Sequence, residues 1–111
     1  MKIEKKSSSW SAKDTFNIIK GTSLADAVGS TLEISAAVIG EDLSNDTGEI
    51  VNTGYIKTTD GTIYNTISKT ARQQLDALCD MIDDEGAITV KVCNQKCKND
   101  QRREFVYFEM V

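Results

Sequence analysis

Tyr55-Ile56-Lys57-Thr58-Thr59-Asp60-Gly61-Thr62-Ile63-Tyr64-Asn65-Thr66-Ile67 is the stretch on which the reading of this chain turns. Asp-Gly between two alternating runs is the strongest short-range signal for a β-hairpin. The whole element is expected over Glu49 to Ser68. A two-residue type I′ turn at Asp60-Gly61 sets Thr59 opposite Thr62, Lys57 opposite Tyr64 and Tyr55 opposite Thr66. Side chains alternate faces along a strand. Ile56, Ile63 and Ile67 then share one face, suited to a core. Thr53, Tyr55, Lys57, Tyr64 and Thr66 share the other, which carries two aromatics, one cation and no carboxylate. Tyr and Thr favour strands in any case. A solvent-facing sheet with aromatics beside a cation is also what stacking on unpaired bases requires.

Upstream of the hairpin, Met1 to Ser9 is polar and rich in Lys and Ser, so residues 1–10 are expected to form a flexible arm. Ser11 and Asp14 have capping-box spacing before an apolar run, which predicts a short helix over Ala12 to Ile19, stopped at Gly21. Trp10 is the expected cap packing that helix onto the body. Ser23 and Asp26 repeat the spacing before Gly29. Thr31 to Ile39 reads as a first strand, with Leu32, Ile34, Ala36 and Val38 alternating onto one face. An acidic loop spans Glu41 to Glu49, and the hairpin supplies strands two and three.

Downstream, Thr70 and Gln73 form another capping box. Ala71, Leu75, Leu78 and Ile82 then recur at helical spacing, with Cys79 beside them. The helix closes at Asp83 to Gly86. Ala87 to Cys93 is the fourth strand, with Ile88, Val90 and Val92 inward. A basic loop runs from Asn94 to Arg103, and Glu104 to Val111 is the fifth strand. There, Phe105 and Tyr107 alternate with Val106, Phe108 and Met110; one set faces the core and the sequence does not say which, the favoured arrangement being Val106 and Phe108 inward with Phe105 and Tyr107 outside. Proline is absent, so no strand is interrupted.

The predicted fold is mainly β: a five-stranded OB-fold-like Greek-key barrel with a helix between strands three and four, after a short helical N-terminal segment. Residues 11–111 form the single domain. Such barrels bind oligonucleotides on strands two and three and on the adjoining loops. The hairpin falls on those strands. The loop between strands four and five carries Lys96, Lys98, Arg102 and Arg103, with Lys91 on the strand leading in. The candidate nucleic-acid-binding residues are therefore Tyr55, Lys57, Tyr64, Lys91, Lys96, Lys98, Arg102, Arg103, Phe105 and Tyr107.

Trp10-Ser11-Ala12-Lys13-Asp14, Leu32-Glu33-Ile34, Lys57-Thr58-Thr59-Asp60-Gly61 and Arg103-Glu104-Phe105-Val106 resemble segments of the small single-stranded-DNA-binding proteins of bacteriophages that infect Gram-positive bacteria. The resemblance covers most of the chain. It implies protection of single strands during phage DNA replication or recombination, with little sequence preference. Many bacterial members recruit replication proteins through a disordered acidic tail. Phe108-Glu109-Met110-Val111 still follows a strand pattern, so recruitment through such a tail is not expected here.

A length of 111 residues suits one domain. The formal net charge is −4, but its distribution matters more to phosphate than the total. Residues 1–20 carry five lysines against Glu4 and Asp14, and residues 86–111 carry five bases against Asp100, Glu104 and Glu109. The middle is acidic. Folding that brought the two ends together would make one basic surface. No apolar run could span a bilayer and no signal peptide is evident, so a host-cytoplasmic protein with reduced thiols is expected.

Catalysis is not expected. The chain has no His for base chemistry near neutral pH, no phosphate loop and no nucleophile–base pair. Three Cys and no His make a poor zinc set, and no cofactor is expected. The acidic turn Asp83-Asp84-Glu85 sits where a helix dipole disfavours it, which leaves a partner-binding patch open. Two functions remain. One is non-sequence-specific binding of single-stranded DNA, or RNA, with homodimerisation undetermined. The alternative is a small phage interaction or structural module whose barrel and acidic loops bind a protein.

Overall fold

The computed structural model of the chain describes residues 1–43, 47–98 and 104–111. Its strands are β1 (Lys2–Lys6), β2 (Thr22–Ser23), β3 (Thr31–Leu43), β4 (Ile50–Thr58), β5 (Ile63–Thr66), β6 (Ile88–Lys96) and β7 (Glu104–Met110). The helices are α1 (Ala12–Asn17) and α2 (Lys69–Glu85), with 3₁₀ turns at Ile18–Lys20 and Leu24–Ala27. One sheet runs β2-β5-β4-β3-β6-β7, and β1 also pairs with β3. The fold is mainly β, an OB-like half-barrel curled against α2.

Seven strands form among the described residues, not the expected five, so the long helix lies between β5 and β6 rather than between strands three and four. The two additions are short and precede β3. Neither carries an alternating apolar run that would mark it. β1 uses an edge that β3 has to spare: Thr31–Ile34 of β3 pair with β6, and Val38–Glu41 pair with β1.

The N-terminal segment is tied down, where the sequence suggested a free arm. Ser7 is fully buried, and its Oγ accepts from the Ala37 amide at 3.0 Å. Lys5 Nζ bridges Asp76 and Asp80 of α2 at 2.5 and 2.8 Å, and the Ser8 amide donates to Asp83 Oδ1 at 2.6 Å. Acids along α2 thus hold a neighbouring strand.

β3 is long enough to change phase. Ile34 opposes Thr58 but Ala36 opposes Lys57, so Ser35 is an extra residue, a β-bulge. Leu32 and Ile34 face the main core before it, and Ala37 and Ile39 do so after it. Ala36 and Val38, expected with Ile34, lie in a second core with Trp10, Tyr55 and Ile63.

The main core forms between the sheet and α2. Ala71, Leu75, Leu78, Cys79 and Ile82 are its buried helical stripe, as the spacing predicts. The helix begins two residues earlier than expected, capped by Ser68 rather than Thr70. Ser68 Oγ accepts from the Ala71 amide at 3.3 Å and donates to the Val106 carbonyl at 2.6 Å. Gln74 continues this closure: its Nε2 donates to the Phe108 carbonyl at 2.8 Å and its Oε1 accepts from the Phe108 amide at 2.7 Å. One side-chain amide thereby satisfies backbone groups that a further strand would otherwise pair. Gly54 lets α2 lie close on β4, since a Cβ there would stand 2.5 Å from Leu75 Cδ1.

Candidate nucleic-acid interface

β6 and β7 form an antiparallel pair in which Val92 opposes Phe108 and Asn94 opposes Val106. Val90, Val92 and Phe108 are buried and Val106 packs against the same core, which decides the facing that alternation along the last strand left open. The other face therefore carries Lys91, Cys93, Gln95, Phe105, Tyr107 and Glu109. Phe105 and Tyr107 are half-buried there, with ring centroids 5.9 Å apart and planes tilted by 45°. Lys91 is exposed on this face, and Lys96 and Lys98 are exposed where β6 runs out into the loop. Arg102 and Arg103 lie outside the described residues.

The hairpin around Asp60-Gly61 takes a different register from the one a two-residue turn would set. The Gly61 amide donates to the Thr58 carbonyl at 2.9 Å, and the Thr58 amide donates to the Thr62 carbonyl at 2.9 Å. The loop is thus three residues, Thr59-Asp60-Gly61, with Gly61 at φ +91°. A turn followed by a left-handed glycine is the usual three-residue solution, and it adds one residue to the predicted loop. Asp60 favours it by accepting from the Thr62 amide at 3.0 Å and from the Thr58 hydroxyl.

One residue of slip moves every β5 side chain to the other face. Ile56 now opposes Tyr64, and Lys57 opposes Ile63. Tyr64 joins the main-core side and is partly buried against it, while Ile63 crosses to Tyr55. Ile67, expected in the core, is 70% exposed. The expected open face of Tyr55, Lys57 and Tyr64 does not form. Tyr55 is only 8% exposed, its ring 6.3 Å from that of Trp10. Its Oη donates to Asp42 Oδ2 at 2.5 Å. Burial, reinforced by Asp42, pushes the Tyr55 hydroxyl up to about 12.

Lys57 stays on that face and is half-exposed, but its Nζ donates to Asp14 Oδ1 at 2.8 Å. Burial works to raise the Asp14 carboxyl. The Lys57 ammonium and the Ser11 capping bonds outweigh it and hold the carboxyl below its ordinary value.

A surface on α1 and the 3₁₀ turn that follows it escaped the sequence reading. Phe16 and Ile19 are 79% and 84% exposed, and Lys13 and Lys20 stand beside them. A signal was present. Phe16, Ile18 and Ile19 are more apolar residues than a two-turn helix can bury on one side, and Ile18 alone packs against the second core.

Among the described residues, no group of three or more Cys, Asp or Glu converges to hold a metal ion, and no helix is long and apolar enough to cross a membrane. Cys79, Cys93 and Cys97 are free thiols. A family model described as Phage Single-stranded DNA-binding protein matches residues 8–110. No curated protein and no solved structure matches the chain.

Proposed function

The chain belongs to the family of phage single-stranded DNA-binding proteins, and from that footing we propose that the strand lies across the outer face of β6 and β7. The observation that carries this is the Phe105–Tyr107 pair, half-exposed on a sheet that also carries the exposed Lys91, opposite Glu109. Each aromatic offers a surface on which any base can stack, which suits binding without sequence preference. Lys91, Lys96 and Lys98 neutralise phosphates along the rim, and Arg102 and Arg103 add charge to the same loop by their place in the sequence. Single strands exposed in phage DNA replication or recombination, in the host cytoplasm, are the ligand this fits. Stacking and phosphate contacts do not read a 2′-hydroxyl, so RNA of equal length should compete.

Fluorescence polarisation with labelled oligo-dT and a matched duplex tests the proposal. Single strands should bind tighter, because rings can stack only on unpaired bases. Three rim lysines should contribute roughly −2 to the slope of log K against log salt, at about −0.7 per phosphate. Equal affinity for duplex would overturn it.

A further inference from the structure

We infer that α1 and the tip of the β4–β5 hairpin form a second contact for the same strand, a phosphate-binding cleft with one stacking aromatic at its side. The inference rests on the chain's being a single-strand binder. The cleft is lined by Ser11, Lys13, Asn17, Lys20, Lys57 and Thr62, among others. Three of these are cations. The one acid lining it, Asp14, is 3% exposed and already neutralised by Lys57 at 2.8 Å. Asp60, two residues before Thr62, is turned back onto the Thr62 amide and the Thr58 hydroxyl. Lys13 and Lys20 are therefore uncompensated within the cleft, with hydroxyl and amide groups beside them that can donate to phosphate oxygens.

Phe16 makes this an unusual place for plain solvation. It stands three residues from Lys13 on α1, a spacing that brings helical side chains together, and Lys20 lines the same cleft from the 3₁₀ turn that follows. At 79% Phe16 is, among the described residues, the one aromatic in the set of large apolar side chains that stand exposed. A bare ring at the side of a cleft that holds two lysines matches a nucleotide on both counts, base on ring and phosphate on cation. The buried Asp14 with its capping box fixes α1 in place, so the cleft is formed before any ligand arrives.

The test compares oligo-dT affinity and salt slope for the whole chain carrying Phe16→Ala or Lys13→Gln with Lys20→Gln, beside Phe105→Ala. Phe16→Ala should weaken binding roughly 5- to 150-fold, the range for losing one base stack. The double Lys variant should flatten the salt slope by about 1.4, two phosphates' worth. Photo-crosslinking of iodouracil-substituted oligonucleotide to the unsubstituted protein should label Phe16 or its neighbours, which needs no variant to fold. Wild-type affinity in both α1 variants with no crosslink to α1, while Phe105→Ala weakens binding, would overturn the cleft and leave the β6–β7 face standing. Weak α1 variants with an unaffected Phe105→Ala would support the cleft and overturn that face. Wild-type binding in all three would remove both.

Discussion

Lys57 Nζ meets Asp14 Oδ1 at 2.8 Å, joining a half-exposed cation on β4 to a carboxylate that α1 has almost wholly buried. The other oxygen of the same acid accepts from the Ser11 amide at 2.9 Å, and the Asp14 amide donates to Ser11 Oγ at 3.1 Å. One side chain thus closes the helix and fastens it to the hairpin.

Asp14→Asn should cost about 1–3 kcal/mol near pH 7, since it removes an ion pair and weakens a cap. The cost should depend on pH. The folded carboxyl lies below its ordinary 3.8, so the unfolded chain takes up protons first as acid is added. Stability from this group is therefore present above about pH 4 and is lost as pH falls through the lowered folded value. Urea melts from pH 7 to pH 3 should show the gap between wild type and variant narrowing in acid. A constant gap would show that Asp14 does not titrate as its contacts require.

Tyr55 and the β7 aromatics should behave as opposite classes. Tyr55→Ala opens a cavity beside Trp10 and should cost about 3–5 kcal/mol of stability. Tyr55→Phe keeps the ring and loses the bond to Asp42, for about 1–3 kcal/mol. Tyr107→Ala and Phe105→Ala should melt near wild type, yet each should cost about 1–3 kcal/mol of single-strand affinity. Paired thermal melts and polarisation titrations separate the two. A stable Tyr55→Ala that fails to bind would restore the simpler hairpin register.

Gln74→Ala strips Phe108 of partners for both its amide and its carbonyl. Leaving buried backbone groups unmet costs about 1–3 kcal/mol each. Native-state hydrogen exchange at the Phe108 amide should speed up well before that of the Val90 amide. Unchanged protection at Phe108 would mean that α2 does not close this edge.

Thiol reactivity offers a footprint. Burial pushes the Cys79 thiol up to about 11, and its Sγ donates to the Ala37 carbonyl at 3.5 Å. Burial and Glu109 raise the Cys93 thiol as well, but Cys93 and Cys97 are part-exposed where Cys79 is buried, so iodoacetamide at pH 8 should modify them before Cys79. Cys93 sits opposite Tyr107 on the outer face. Saturating oligo-dT should slow its modification, read by mass spectrometry, whereas a DNA-independent rate would place the strand elsewhere.

The alternation of the proposed face on β6 and β7 was legible in advance. Alternation over Ile88–Cys93 and Glu104–Met110 puts Phe105 and Tyr107 on one face and Val106 and Phe108 on the other, but which pair faces the core is decided by the burial of Phe108. The site on the first hairpin was not. Its strand composition was read well, but the loop holds three residues instead of two, and the partner strand turned over.

By itself, then, the sequence determined what short-range chemistry can determine: the capping box at Ser11, the apolar stripe of α2, the alternation within each long strand, and a turn at Asp60-Gly61. Tertiary structure alone decided the bulge at Ser35, the pairing of β1 with the spare edge of β3, the closure of β7 by Gln74 and the exposure of Phe16. The reason is that alternation fixes only relative faces. A single inserted residue inverts them at little local cost, so the choice falls to contacts such as Trp10 on Tyr55 and Leu75 over Gly54, between residues far apart in the chain.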